Sequence, residues 1–344
     1  MSAALTVIMP AWNAEKTVEY AVRSVLAQTF RDLRLIVVDD GSTDETAAIL
    51  SRLAKEDARL TPMTVENGGP AKARNRALDA MDADTRWVLF IDADDLLLPD
   101  AAEKAVREAE AGAALVLFGF SIIGVDGSRR DYCEPTQRLT RDTLGAALGR
   151  LYKANLLNQV WGKLFSAELI RAGGLRFPDY RWGEDRFFVF ACLERAAKIS
   201  VLEDCLYQYI MSAGESLISK YYDKKFSVCC EIDANMEAMC RALGVTDERD
   251  FRYMFVKSVF SCLTVLYAPS CPLNDKQKRE AARVIVTDAR VRRRCRDCSG
   301  GLPVNALCAV LQTGDPALAL AVFRTVAWTS KAAPGLFTKL KHRK

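Results

Sequence analysis

Histidine is nearly missing from this chain: the only one, His342, lies in the extreme tail of a 344-residue sequence. Ser-His-Asp and Cys-His catalysis both need an imidazole held in a folded site, so neither is available. Long apolar runs are missing as well. The best stretch, 317–328, falls short of the roughly 18 residues a membrane-crossing helix needs, and it carries Arg324. The first residues form a strand-like run, Leu5-Thr-Val-Ile-Met9, with no basic leader before it, which does not read as a signal peptide. Charge of one sign is lacking too. Lys and Arg number 48 against 44 Asp and Glu, a net +4 that gives no footprint for nucleic acid. The 11 cysteines are scattered, odd in number and mostly set in apolar runs, so a reduced, cytosolic setting fits better than a disulfide framework. Cys295 and Cys298 have no second pair to complete a zinc site. No GxGxxG follows the first strand, which disfavours a dinucleotide-dependent dehydrogenase.

What is present is a chain with 50% hydrophobic residues, long enough for one large α/β domain and an appendage. From Leu5 to Ile91, short β-branched runs alternate with segments of helical period, the signature of βαβ units and a mostly parallel sheet. Strands are expected at 5–9, 33–38, 60–65, 87–91 and 114–120. Val18, Ala21, Val22, Val25 and Leu26 form one apolar helical stripe, and further helices are expected at 71–81, 101–110 and 143–152. Ser42 and Glu45 have capping-box spacing. Asp126-Gly127 reads as a hairpin turn. The segment 158–186, rich in Gly, Trp and Arg, reads as site-lining loops. Beyond about residue 220 the periods become long and helical. The expected division is therefore an α/β domain over 1–220 and a helical region over 221–344.

Two acidic clusters carry the chemistry. In Ile91-Asp92-Ala93-Asp94-Asp95, three carboxylates stand at the C-terminal end of a buried strand, the edge at which parallel α/β sheets bind ligands. Such a row repels itself, and a hard divalent cation, Mg²⁺ or Mn²⁺, relieves it, with substrate phosphates completing the shell. The plainer alternative is an acidic surface turn. The second cluster, Val37-Val-Asp39-Asp40-Gly41-Ser42, also follows a buried strand. A carboxylate there can accept a hydrogen bond from a nucleobase, whereas helix capping would account for Ser42 or Asp44.

These segments, with Val7-Ile-Met-Pro10-Ala-Trp12-Asn13, Ser24 to Phe30 and Ala73-Arg74-Asn75, resemble the family 2 glycosyltransferases, inverting enzymes of the GT-A fold, in order and spacing. Looser matches follow in Val160-Trp-Gly-Lys163-Leu-Phe165, Gly183-Glu184-Asp185-Arg-Phe187 and Tyr209 to Ser216. The resemblance implies a Rossmann-like, doubly wound α/β domain that takes a nucleotide-sugar donor. Pro10, Trp12 and Asp39 would border the nucleotide. Asp40 would accept from the base, taken as uracil, and Arg74 would approach the nucleotide or its phosphates, a solvated charge on the helix surface being the alternative for Arg74. Asp92 would contact ribose or sugar and share a metal, Mn²⁺ or Mg²⁺, with Asp94. Glu184 and Asp185 match the family's Glu-Asp pair, whose carboxylate deprotonates the acceptor hydroxyl; Asp185 is taken as the base. Helix capping is the alternative reading of that pair. Trp161, Lys163 and Trp182 would line the acceptor cleft, with core packing the alternative for either Trp.

The implied function is transfer of a hexose-type residue from a UDP-sugar to a polysaccharide or lipid-linked oligosaccharide. A catalytically silent carbohydrate-binding or assembly protein of the same fold is the rival from another class. A nucleotidyltransferase is less favoured, because no glycine-rich phosphate loop follows the first strand. Arg292, Arg293, Arg294, Arg296 and the tail 339–344 could dock on anionic lipid beside the apolar stretch 318–328, at the cytoplasmic face of the cell membrane, with solubility the simpler reading of the same charges.

Overall fold

The computed structural model describes residues 3–211, 220–296, 298 and 300–332. Packing divides the chain into two compact units, Met1–Ala213 and Gly214–Lys344. The first unit holds strands β1 (Leu5–Ala11), β2 (Leu33–Asp39), β3 (Leu60–Thr64), β4 (Trp87–Phe90), β5 (Leu96–Leu97), β6 (Leu115–Ile123), β7 (Arg129–Tyr132), β8 (Gln137–Thr140), β9 (Lys163–Ser166) and β10 (Lys198–Ile210). Its helices are α1 (Val18–Leu26), α2 (Thr46–Glu56), α3 (Pro70–Asp79), α4 (Ala101–Glu110), α5 (Arg141–Lys153), α6 (Ala167–Ala172) and α7 (Glu184–Arg195).

All strands join one mixed sheet, ordered β3-β2-β1-β4-β9-β6-β10-β5, with β7 on β6 and β8 on β10. Strands β3, β2, β1 and β4 run parallel. The residues of β4 and nearly all of β1 and β2 are buried, which is why these strands read as unbroken apolar runs rather than alternating ones. The chain leaves β1 to form β2 on one side and β4 on the other, so the switch point lies at their C-terminal ends, where Pro10, Asp39 and Asp92 emerge.

Two local expectations change. The 158–186 segment is not all loop: it contains β9, antiparallel between β4 and β6 in the middle of the sheet, and helix α6. Lys163, Leu164 and Phe165 are all buried, so β9 shows no alternation, and at four residues it is too short for a periodic signal. The Ser42–Glu45 capping box does not form either. Helix α2 starts at Thr46, whose N–H donates to Asp44 Oδ1 at 3.0 Å, while Ser42 Oγ accepts from Asn13 N–H at 2.9 Å. The expected Asp126-Gly127 hairpin is present as the antiparallel pair β6–β7.

The second unit is helical among its described residues: α8 (Lys225–Ala242), α9 (Arg249–Thr264), α10 (Asp275–Thr287), α11 (Ala289–Arg296), α12 (Gly301–Gln312) and α13 (Pro316–Ala332). Arg294 is the staple of α8, α9 and α11, bonding Asp233 at 3.0 Å and Glu237 and Glu248 at 2.9 Å each. It is buried, as a charge paired on several sides can be. Arg293 is also tied to Glu237. A crevice of about 220 Å³ lined by Arg241, Arg252 and these same ion pairs belongs to the staple. Of the basic residues expected to face lipid, Arg294 therefore cannot, and Arg292 and Arg296 are the exposed ones without a carboxylate partner among the described residues. The tail 339–344 and residues 212–216 of the Tyr209–Ser216 motif lie outside the described residues. Among the described residues no helix is long and apolar enough to cross a membrane.

Candidate functional site

The acidic edge of β2 is built as a loop clamp. Asp40 N–H donates to Ala11 O at 2.8 Å, continuing the β1–β2 ladder past its end. Both carboxylate oxygens of Asp40 accept backbone N–H groups, from Gly68 and from Gly69 at 2.8 Å each. Gly69, at φ +89° in the region that favours glycine, is the residue from which α3 starts, with Pro70 at its first position. Each Asp40 oxygen keeps a second lone pair. Asp39 Oδ1 caps Ser42 N–H at 3.1 Å, and its buried Oδ2 has no partner among the described residues. Pro10 is half-buried, and Trp12, 57% exposed, offers its ring to solvent beyond the end of β1. Asn13 (φ +48°) knits this loop to the next, its Oδ1 accepting from Thr43 N–H at 2.9 Å.

At the edge of β4 the three aspartates have three different surroundings. Asp95 is fully buried: its Oδ2 accepts the Tyr207 hydroxyl proton at 2.6 Å and its Oδ1 the Ile210 N–H at 2.8 Å. Tyr207 Oη in turn accepts the Asp92 N–H at 3.2 Å. Burial, then the charges of Asp92 and Asp94, push the Asp95 carboxyl well above its ordinary range, so Asp95 anchors the loop to β10 rather than facing a ligand. Asp92 places Oδ1 on Arg74 Nη2 at 2.9 Å. Asp94 is exposed and bonds no other residue among those described. It nonetheless stands where protein crowds its carboxyl, and desolvation followed by the charge of Asp92 pushes it up to about 6. Gln28, from the Ser24–Phe30 motif, braces the passage from β5 into α4: its side-chain amide donates to Leu98 O at 2.8 Å and accepts from Ala102 N–H at 2.9 Å.

The centre of the constellation is Arg74, buried on α3. Its Nη1 bonds Asp185 Oδ1 at 2.9 Å and Glu184 Oε1 at 3.2 Å, and Nη2 bonds Asp92. Burial opposes the charge, yet Asp185, Asp92 and Glu184 outweigh it and hold the guanidinium protonated more firmly than usual. The guanidinium also lies 5.5 Å from the Phe177 ring centre. Its neighbour Asn75 pins that segment with a pair of 2.9 Å bonds to the Phe177 backbone. The family resemblance would send Arg74 to a nucleotide; in the structure Nη1 bonds two carboxylates and Nη2 one, while Nη2 keeps a second N–H. Glu184 and Asp185 open α7 behind Gly183, which is in the left-handed region at φ +86°. Burial, then Asp185, push Glu184 up to about 7, with Arg74 pulling against them. Burial also raises Asp185, against the opposing influence of Arg74, the Val160 N–H and Lys163.

The residues expected along an acceptor cleft separate. Trp161, 8% exposed, stacks on Tyr207 with ring centres 4.4 Å apart and meets Phe120 edge-on at 4.9 Å. Lys163 is fully buried, its Nζ donating to Gln159 O at 2.5 Å and Trp161 O at 3.1 Å. Burial pulls its ammonium down to about 7, with Asp185 opposing. Lys163 has no exposed surface and Trp161 little, and both pack against protein. Trp182 stays half-buried under the Arg186 guanidinium at 5.0 Å. Sequence reasoning passes over Tyr207, Asn75, Gln28 and Val160. The first has no signal beyond a Tyr-x-Tyr spacing, and the others sit unremarked inside the quoted motifs.

A β3-β2-β1-β4 parallel run with acidic loops at its switch point fits a GT-A architecture. Comparison with solved structures agrees: TarS of S. aureus, crystallised as residues 1–349 with UDP-GlcNAc, superposes with a TM-score of 0.64 at 22% identity, over 96% of this chain and 92% of that one. Residues 6–165 match the Glycosyl transferase family 2 domain. The putative teichuronic acid biosynthesis glycosyltransferase TuaG of Bacillus subtilis is 31% identical over 60% of this chain and 78% of its own length. The glycosyltransferase EpsJ of the same organism is 30% identical over 60% of each chain. This chain belongs to glycosyltransferase family 2. It spans less than two thirds of EpsJ.

Proposed function

We propose that this chain transfers a sugar from a nucleotide-sugar donor, a UDP-sugar, to a hydroxyl of a polysaccharide or lipid-linked oligosaccharide, with inversion at the anomeric carbon. The observation that carries this reading is the gathering of Asp92, Glu184 and Asp185 on the single buried guanidinium of Arg74, beside an Asp94 that has no partner of its own among the described residues. Asp185 is the base. It takes the proton of the acceptor hydroxyl as that oxygen forms its bond to the anomeric carbon. The bond from that carbon to the diphosphate oxygen breaks, and the electron pair leaves with the nucleoside diphosphate. Each Asp185 oxygen is bonded once, to Arg74 and to Val160 N–H, and keeps a lone pair for that proton. Trp12 and Pro10 border the nucleotide, Asp40 uses its remaining lone pairs on the base, Asp39 holds the loop they share, and Asp92 contacts ribose or sugar.

Among the described residues no group of three or more His, Cys, Asp or Glu side chains is placed to hold a metal unaided. Mg²⁺ and Mn²⁺ are commonly held through only one or two carboxylates plus water and substrate phosphates. Asp94 and the second oxygen of Asp92 are hard donors left unbonded by protein, so the residues fit such an ion. Bound there, it would neutralise charge on the departing diphosphate, a Lewis-acid effect worth several kcal/mol. Trp182 is the acceptor contact retained from the sequence. For residues 221–344 we propose an acceptor or membrane-surface role, at the cytoplasmic face of the cell membrane. TuaG is named for teichuronic acid biosynthesis, which supports a glycan acceptor, and TarS was crystallised with UDP-GlcNAc, which supports a UDP-sugar donor.

The test is a screen of uridine and guanosine diphosphate sugars for nucleotide release, with Mn²⁺ or Mg²⁺ and with chelator, followed by Asp185→Asn. The expected result is preference for a uridine donor, loss on chelation, and a fall of about 10² to 10⁴ in transfer for the variant. Parental transfer by Asp185→Asn would remove the assigned base.

A further inference from the structure

The Val160 N–H that holds Asp185 Oδ2 at 3.2 Å belongs to the same peptide unit as the Gln159 carbonyl. A peptide unit is planar, so its N–H and C=O point in opposite directions, and fixing one fixes the other. The Gln159 carbonyl oxygen is held by Lys163 Nζ, which also takes the Trp161 carbonyl, on the far side of Val160. Gly162 makes the reach possible: at φ +71° it turns the chain so that Lys163 enters β9 while its side chain folds back over residues 159–161. We propose that Lys163 is a positioning residue for the base, orienting the 159–160 peptide so that its N–H fixes the second oxygen of Asp185 while Arg74 fixes the first.

The arrangement does more than tie down a loop. A carbonyl bonded to an amine donor polarises its peptide and makes the opposite N–H a better donor to a carboxylate. Asp185 is then held from two directions at once, by α3 through Arg74 and by the start of β9 through Lys163 and Val160. One lone pair is left on each carboxylate oxygen, on the side that neither clamp covers. A role in the acceptor cleft, which the sequence motif suggests, is not open to a side chain with no exposed surface.

The inference rests on Asp185 being the base, and the experiment separates the two. Lys163→Met keeps the buried stem and removes the amine donors. With the donor found in the screen, kcat should fall about ten- to hundredfold while the donor KM stays within about twofold, since the change displaces the base and not the nucleotide. The acid limb of the kcat–pH profile should move to higher pH. Asp185 is faced by Arg74 from α3, Asp92 from the loop after β4, Glu184 beside it and Lys163 from β9, and the variant removes one of the two cations and slackens the N–H bond. A folded Lys163→Met with parental kcat, with a loss confined to donor KM, or with an unmoved limb would overturn the proposal. Should that variant be recovered unfolded, Lys163→Gln takes its place, and the same changes in kcat, KM and acid limb decide for or against. Parental activity in Asp185→Asn would instead overturn the base itself, whatever Lys163 does.

Discussion

Replacing Arg74 with Met tests the centre of the site, because this one guanidinium is shared by Asp92, Glu184 and Asp185. Side-chain exposure is 4% for Arg74, 10% for Glu184 and 16% for Asp185, against 30% for Asp92. Once the cation is gone, Asp92 can rehydrate more readily than Glu184 and Asp185, which protein largely shields. Removing one partner of a buried pair costs about 3–5 kcal/mol, so the variant should be less stable by roughly 3 kcal/mol near pH 8. The pH dependence gives the sharper result. Arg74 lowers the proton affinity of both Glu184 and Asp185 against a burial that raises it. Without Arg74 both carboxyls hold protons to higher pH than in the parent. The folded variant then binds more protons than the folded parent, and it regains stability relative to the parent as pH falls, by about 1.4 kcal/mol per pH unit for each extra proton. Urea unfolding of both proteins across about pH 5 to 8, extrapolated linearly, reads the difference. A deficit that stayed flat or grew as pH fell, or one below about 0.5 kcal/mol near pH 8, would refute the network. Arg74→Lys, which keeps a charge but not the planar fork, should recover only part of the loss.

Two further outcomes follow from the aspartate loop. Because the Asp94 carboxyl titrates near 6, Mn²⁺ or Mg²⁺ binding in the presence of nucleotide should be nearly complete in its pH dependence by pH 7 and weaken about tenfold by pH 5; calorimetry at the two pH values checks this, and Asp94→Asn should remove most of the dependence. Tyr207→Phe should cost about 1–3 kcal/mol in urea unfolding, since it strips buried Asp95 Oδ2 of its donor and Asp92 N–H of its acceptor. A variant as stable as the parent would mean that Asp95 is not the anchor of this loop.

The sequence made the acidic edges visible and hid what lies between them. Buried parallel strands announce themselves as unbroken apolar runs, and acidic residues directly after such runs must stand at the sheet's C-terminal edge; Asp39, Asp40, Asp92 and Asp94 could be located on that ground alone. The roles of Arg74, Lys163 and Trp161 could not, because their surroundings are assembled from distant parts of the chain. Arg74 meets Glu184 across 110 positions, and Tyr207, on which Trp161 stacks, meets Asp95 across 112. A buried cation and an exposed one look alike in a sequence. β9 was hidden for a related reason: a four-residue strand buried in mid-sheet offers neither alternation nor length.

Helix α3 couples the two acidic edges mechanically. Its first turn is held by Asp40, which takes the Gly68 and Gly69 N–H groups just ahead of Pro70. Four residues after Pro70 on the same helix, Arg74 takes Asp92, Glu184 and Asp185, and Asn75 takes the Phe177 backbone. An α-helix rises only about 1.5 Å per residue, so the carboxylate proposed for the nucleobase and the arginine that orders the reacting carboxylates are separated by little more than one rigid turn. Asp40 is thus bonded at the start of the helix that carries Arg74 in its middle. The Ala73-Arg74-Asn75 motif therefore belongs to the site as the segment that joins the two acidic edges, with both terminal nitrogens of its arginine bonded to carboxylates.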